Sequence, residues 1–248
     1  MKNNVLFLPL KKQMKPHKAM FDRWEPMIQE TGLNRLKAST VMVVGIGGVG
    51  SFAVEALARS GIGTLILVDY DKVEGSNLNR QIHALHSTLG HYKVDVMKAR
   101  INDINPSCTV LTYPMMYQSS VNEVLFAQPI DFVLDAIDTI THKIVLIETC
   151  LNKQIPFLTS CGQGNRMFPE KVGIKDLSKT AYDPVARVMR KAIKARLITD
   201  AIPCVYSDEK PFKMAHTRQP FSNALVPSTA GLTAAAYIIR HLLKDDVK

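Results

Sequence analysis

Thr40-Val41-Met42-Val43-Val44-Gly45-Ile46-Gly47-Gly48-Val49-Gly50 is an apolar, largely β-branched run that stops at a glycine loop. The run predicts a buried strand over Thr40–Val44, because short β-branched stretches bounded by glycine fit a sheet interior. Beyond the loop, Val49, Phe52, Ala53, Ala56 and Leu57 recur at helical spacing. They predict a helix over Val49–Ser60, with Gly61 placed to cap its end. In a strand–loop–helix of this kind the free N–H groups of the helix start attract an anion. Gly47 and Gly48 would let the backbone approach a phosphate closely, and Gly45, Gly47 and Gly50 complete the spacing. By itself such a loop serves nicotinamide, flavin and ATP sites alike.

Outward from the loop the same alternation continues. Strands are expected at Thr64–Asp69, Thr109–Tyr113, Asp131–Asp135 and Pro156–Ser160. Helices are expected at Lys93–Ile104, where Val94, Met97, Ile101 and Ile104 share a face, and near Val121–Ala127 and His142–Asn152. Strands alternating with helices imply right-handed crossovers and an α/β fold: a Rossmann-like, mostly parallel sheet flanked by helices. Before it lie a basic arm over residues 1–20, with Lys11, Lys12, Lys15 and Lys18, and one or two helices within Met20–Lys37. The nucleotide-binding core spans 21–162. Residues 163–248 form a smaller, basic, substrate-binding part of the same compact domain. There Asp183-Pro184 starts a helix, Cys204–Ser207 is a short strand, Asp208–Val226 is a long connection and Thr229–Leu243 is a final apolar helix.

At 248 residues, 46% hydrophobic and 21% charged, the chain has the composition of an ordinary globular protein. The apolar stretch Val5–Leu10 is too short to span a bilayer and no small-residue cleavage site follows it, so neither membrane span nor signal peptide is expected. Cys108, Cys150, Cys161 and Cys204 lie far apart without a CxxC pair, which argues against structural zinc and fits a reducing cytoplasm. The net charge of +9 is uneven: 15 Lys/Arg against 14 Asp/Glu over 1–149, and 16 against 8 over 150–248. That asymmetry points to a polyanion docking on the second half, with Arg187, Arg190, Lys191 and Lys194 as one helical face for phosphate contact.

Asp69, at a strand end, is placed for ribose hydroxyls, as a dehydrogenase would also have it. Asn77, Arg80 and Lys93 go further: Arg80 suits a forked grip on phosphate oxygens and Lys93 a point charge. Asp138 follows the strand ending at Asp135, where an acid facing polyphosphate is repulsive unless magnesium lies between them. Asp135 either shares that metal or caps the following helix. Together these residues describe a reacting ATP with Mg2+.

This set, in this order, resembles the ThiF/MoeB/HesA superfamily of ubiquitin-activating-like enzymes, which convert a carboxylate into an acyl-adenylate. The resemblance implies that Asp69 binds ribose, Asn77, Arg80 and Lys93 bind phosphates, and Asp138 binds magnesium. Further strings are similar to the tRNA threonylcarbamoyladenosine dehydratase branch: Asn79-Arg80-Gln81-Ile82-His83-Ala84-Leu85, Asp135-Ala136-Ile137-Asp138, Leu177-Ser178-Lys179-Thr180, Asp183-Pro184-Val185-Ala186-Arg187 and Val205-Tyr206-Ser207-Asp208-Glu209. That branch uses ATP to close the threonylcarbamoyl group on an adenosine beside the tRNA anticodon into a cyclic form. The resemblance thus implies tRNA carrying threonylcarbamoyladenosine as partner, and a homodimer in which Arg23 enters the neighbouring subunit's site. No motif specifies an accessory protein. Cys204 lies where some related enzymes have a cysteine able to form an acyl-enzyme, but its setting reads more simply as a small apolar strand residue.

Three alternatives stand beside this reading. Adenylation of a ubiquitin-like sulfur carrier lacks the paired CxxC motifs common in such enzymes. A nicotinamide oxidoreductase leaves Arg80, Lys93 and Asp138 unexplained. A non-catalytic nucleotide-binding module has no need of the full phosphate and metal set.

Overall fold

A computed structural model describes residues 18–213 and 220–244. Most of the basic arm lies outside the described residues. Among those described, no helix is long and apolar enough to cross a membrane.

The described residues begin with two helices, α1 (Lys18–Phe21) and α2 (Glu25–Ala38), and then enter the sheet. β1 (Thr40–Val44) runs into α3 (Gly50–Ser60), β2 (Thr64–Val68), α4 (Lys93–Ile104) and β3 (Thr109–Tyr113). There follow α5 (Asn122–Leu125), β4 (Phe132–Asp135), α6 (Ile140–Asn152), β5 (Phe157–Ser160), β6 (Val172–Asp176), α7 (Pro184–Ala195), β7 (Pro203–Ser207) and α8 (Leu225–Leu243). The seven strands form one sheet in the order β3-β2-β1-β4-β5-β7-β6. Every described pairing is parallel except that of β6 with β7. Successive strands extend one way from β1 to β3 and the other way from β4 onward. The crevice between β1 and β4 is therefore the topological switch point at which open α/β sheets bind ligands.

Side chains alternate between two cores. Val41, Val43, Leu65, Leu67, Phe132 and Leu134 face α2, α3, α4 and α8. Met42, Val44, Ile66, Val68 and Val133 face α6 and α7. This period-two partition of near-continuous apolar runs is what a parallel sheet covered on both faces requires. α8 lies so close to the start of α3 that a Cβ on Gly231 would fall 2.3 Å from the Val49 carbonyl oxygen. The last helix thereby clamps the helix that follows the glycine loop.

The structure departs from the sequence reading at modest points. β6 was not expected: it is a short, half-buried edge strand in which only Val172 and Ile174 face the core, too brief an alternation to read beside Gly173 and Lys175. α8 begins at Leu225 rather than Thr229, because Pro227 sits in the first turn, where its missing N–H costs nothing. α5 is shorter than expected and is preceded by a 3-10 turn over Ser119–Val121.

One core residue carries a pH signature. His83 is fully buried, and neither ring nitrogen has a hydrogen-bond partner among the described residues. Burial, reinforced by Lys93 and Arg100, pushes its imidazole down to about 4 from 6.5. As pH falls below about 6.5 the unfolded chain takes up a proton that the folded chain refuses until about 4, so this residue's contribution to stability is lost across that window. Urea unfolding at about pH 7.5 and about pH 5 is expected to differ by roughly 2 kcal/mol more in the native protein than in His83→Leu.

Candidate active site

The glycine loop leaves β1 through a turn that tolerates no side chain at its ends. Gly45 adopts φ +92°, and a Cβ there would lie 2.5 Å from the Ala136 carbonyl; at Gly50 it would lie 1.9 Å from the Gly45 carbonyl. Gly47 is different. Its backbone is ordinary, and the nearest described atom to an added Cβ is Gln81 Nε2 at 3.9 Å. Packing within the chain gives no reason for glycine there, whereas close approach of a ligand does.

The loop forms one wall of a cavity of about 1060 Å³ at the carboxyl edge of the sheet. Single small-molecule sites span about 300–1,000 Å³, so this one has room for a nucleotide and part of a second molecule. Gly45, Gly47, Gly48, Asp69, Asn77, Arg80, Lys93 and Asp138 all line it. Gly50 stands just behind, opening α3.

Asp69 is buried, and its carboxylate accepts the Ile46 N–H at 2.6 Å and the Asp71 N–H at 2.8 Å. Burial raises its pKa from the ordinary value, against the opposing pull of Lys93 and the two N–H donors. Lys93 is buried at the start of α4, its ammonium 2.6 Å from half-exposed Asp71. One of its three donors is thus engaged and two remain for a ligand. Asn77 is chiefly structural: its amide oxygen accepts the Glu74 N–H at 3.0 Å and closes the turn that presents Arg80. Arg80 is anchored through one nitrogen, donating to the Ser76 carbonyl at 2.6 Å and to Asn79 Oδ1 at 3.1 Å. Asp138 is exposed on the opposite lip, accepting only from Thr139 Oγ1 among the described residues.

Asp135 neither caps α6 nor reaches the cavity wall. It is fully buried, 3.0 Å from buried Lys143, and accepts Thr159 Oγ1 at 2.6 Å and the Ile137 N–H at 3.1 Å. The network ties β4, β5 and α6 together beneath Asp138. No cluster of three or more metal-ligating side chains occurs among the described residues. A lone exposed carboxylate suits magnesium shared with phosphate oxygens and does not suit an all-protein metal cage.

The structure places three further residues and corrects the reading of one of them, Arg190. Cys204 is completely buried in β7 beside Cys161, among Met189, Ile202 and Tyr206, the setting of a small apolar strand residue. Arg190 is not a free cation: it is half-buried and donates to the Leu177 and Thr180 carbonyls and to Thr180 Oγ1, fastening the turn before α7. Arg23 is exposed but lies outside the cavity wall of its own chain. Arg187, Lys191 and Lys194 remain exposed along α7.

The far wall was missed by sequence reasoning. It comprises the Cys161–Arg166 segment after β5, Tyr182 before α7, and residues from the connection to α8, including Lys210, Phe212, Lys213 and Phe221. Buried Arg166 lies 2.9 Å from buried Asp183 and also donates to the Gly162 and Glu209 carbonyls. Glu209 in turn accepts the Met167 and Phe168 N–H groups. In the sequence Asp183 gave a helix-cap signal and Glu209 lay in a string carrying the family resemblance, but nothing pointed to the aromatic and lysine residues of this wall.

A mostly parallel sheet with a glycine loop at its switch point, Asp69, Arg80 and Lys93 beside it and Asp138 across from them has the architecture of a nucleotide-binding α/β class of protein. The chain belongs to the ThiF family, whose profile matches residues 22–245. It is 46% identical to the tRNA threonylcarbamoyladenosine dehydratase of Bacillus subtilis over 241 residues, covering 91% of this chain and 95% of that protein. The enzyme of the same name from Escherichia coli is 40% identical over 166 residues, 67% of this chain and 62% of that one. The crystal structure of E. coli tRNA N6-threonylcarbamoyladenosine dehydratase in complex with ATP superposes with a TM-score of 0.88 at 32% identity, covering 94% of this chain and 97% of that chain. A complex of the same enzyme with AMP matches equally well.

Gly47→Ala is expected to unfold at the native temperature while losing ATP affinity at least about ten-fold, because the methyl fills ligand space only. Gly50→Ala, which drives a methyl into the Gly45 carbonyl, is expected to fold poorly or not at all. Calorimetric unfolding and ATP titration of the two variants check this pair; equal stability losses would contradict it.

Proposed function

We propose that this chain is an ATP-dependent dehydratase that closes the threonylcarbamoyl group of an adenosine in tRNA into its cyclic form through an acyl-adenylate. One observation carries the reading. The glycine loop, Asp69, Arg80, Lys93 and Asp138 converge on a single cavity with space beyond a nucleotide, in a chain whose relatives over nearly full length bear that enzyme's name.

A free carboxylate is a poor electrophile. In the proposed reaction its oxygen attacks the α-phosphorus of ATP and pyrophosphate leaves. The carbamoyl group of the same side chain then attacks the activated carbonyl, the C–O bond to the adenylate breaks, a proton is released and AMP departs with the former carboxylate oxygen. Ring closure within one molecule needs orientation more than a covalent catalyst, and good orientation contributes on the order of 7–11 kcal/mol. The free N–H groups of Arg80, the two unengaged donors of Lys93 and the N–H groups of the glycine loop neutralise charge on the phosphates. Asp69 orients the ribose. Asp138 would hold magnesium, which supplies further charge neutralisation when bound.

In this reading the enzyme works in the cytoplasm as a homodimer. Arg23, exposed and outside its own cavity wall, is the group a second copy contributes. The exposed face of Arg187, Lys191 and Lys194 on α7 takes the tRNA backbone.

Incubation with ATP, magnesium and threonylcarbamoylated tRNA is expected to yield a nucleoside lighter by one water, read by mass spectrometry of digested RNA. Arg80→Ala and Asp138→Asn are each expected to lower the rate by about 100-fold or more, the scale of losing one transition-state charge contact. An unchanged nucleoside alongside pyrophosphate release with a ubiquitin-like protein would replace this reading with carrier adenylation. Converting Arg187, Lys191 and Lys194 together to Ser is expected to weaken tRNA binding and flatten its salt dependence by up to about three phosphate contacts, measured by filter binding across a salt series.

A further inference from the structure

The cavity has two unlike ends. Its nucleotide end is built of glycines and charged groups. Its other end carries three aromatic side chains that the reaction above does not use: Tyr182, 63% exposed, and Phe212 and Phe221, each 51% exposed. Aromatic rings exposed at the rim of a cavity are costly to leave in water, and here they share that rim with cations. Lys210 and Lys213 line the same rim and have no ion-pair partner among the described residues.

The rim is held in place. Asn165, in a left-handed conformation (φ 56°), donates its N–H to the Phe221 carbonyl at 2.7 Å and accepts the Phe221 N–H on Oδ1 at 2.7 Å. Its own carbonyl accepts the Phe212 N–H at 2.8 Å. One residue thus pins the backbones of both phenylalanines. Tyr182 (φ 60°) stands immediately before Asp183, whose carboxylate is fixed by Arg166 and by the cap of α7. α7 carries the exposed cations Arg187 and Lys191 onward from Tyr182.

Aromatic faces interleaved with cations, continuous with a nucleotide-sized cavity, match the chemistry of an unpaired nucleobase and its phosphates. A peptide C-terminus would instead call for a groove with backbone hydrogen-bonding edges, and a second copy of this chain for an apolar patch without the cations. We propose that Tyr182, Phe212 and Phe221 form a stacking subsite for an unpaired RNA base flanking the reacting nucleoside, with Asn165 as its positioning residue. This subsite rests on the tRNA reading above and adds to it the recognition of single-stranded loop bases.

The test uses RNA hairpins whose loop contains threonylcarbamoyladenosine with 2-aminopurine on its 5′ or its 3′ side. Binding to the native protein is expected to quench the fluorescence of at least one hairpin, since stacking quenches this base. Phe221→Ala is expected to lose that quench and to raise KM for RNA by about 5- to 100-fold. KM for ATP should stay unchanged, with Phe221→Trp restoring both quench and KM. Asn165→Gly, which keeps the left-handed backbone and its N–H bond to the Phe221 carbonyl but removes the Oδ1 acceptor of the Phe221 N–H, is expected to fall between. Leu197→Ala, at an exposed leucine outside the cavity, serves as the neutral control. Native protein that dehydrates the RNA without any quench, or a Phe221→Ala protein with native quench and KM, overturns the subsite alone. A Phe221→Ala protein that dissociates into monomers with RNA parameters unchanged assigns the rim to a second copy and also overturns it. Native protein that binds and quenches but does not dehydrate the RNA leaves the subsite standing and overturns the parent reading.

Discussion

The buried carboxylate of Asp69 is the constraint on which the nucleotide end of the cavity depends. It sits at the end of β2 and accepts an N–H from Ile46 in the glycine loop and another from Asp71 in its own turn. The first bond fixes the loop after β1 against β2; the second bends the chain so that Asp71 meets the ammonium of Lys93. Three segments far apart in sequence are thereby set in register by one side chain. Burial works against the ionised form, and the two donors and nearby Lys93 work for it. The tight donor geometry therefore offsets part of the cost of burying this carboxylate.

A second constraint acts from behind. Gly231 on α8 lets that helix rest against the Val49 carbonyl, and Pro227 Cβ approaches to 3.1 Å of a Cβ built on Gly48. The last helix thus backs the glycine loop, and the connection leading into it supplies Lys210, Phe212, Lys213 and Phe221 to the far wall. The C-terminal segment completes both the sheet, through β6 and β7, and the cavity.

The nucleotide end was legible because its physics is local. A β-branched run, glycines at fixed spacing and helical periodicity over Val49–Ser60 define strand, loop and helix without help from distant residues, and β1 and α4 fall where the pattern places them. Side-chain engagement was not legible. Lys93 and Arg190 look alike as helix cations, yet one is buried against Asp71 and the other is spent on the carbonyls before α7. Asp135 and Asp138 are three residues apart, yet Lys143 beneath the sheet claims the first and leaves the second at the lip. Cys204 read as a small apolar strand residue, and its complete burial in β7 agrees with that setting. The far wall escaped altogether, because Asn165, Tyr182 and Phe221 come together through loops whose contacts follow no period.

The central claim is that the carboxylate oxygen of the substrate becomes the oxygen that AMP carries away. Threonylcarbamoylated tRNA labelled with heavy oxygen in that carboxylate tests it in one turnover with ATP and magnesium. The account predicts one labelled oxygen in the phosphate of AMP and none in pyrophosphate. Label appearing in inorganic phosphate alongside ADP, or remaining in the RNA after AMP has formed, would contradict it.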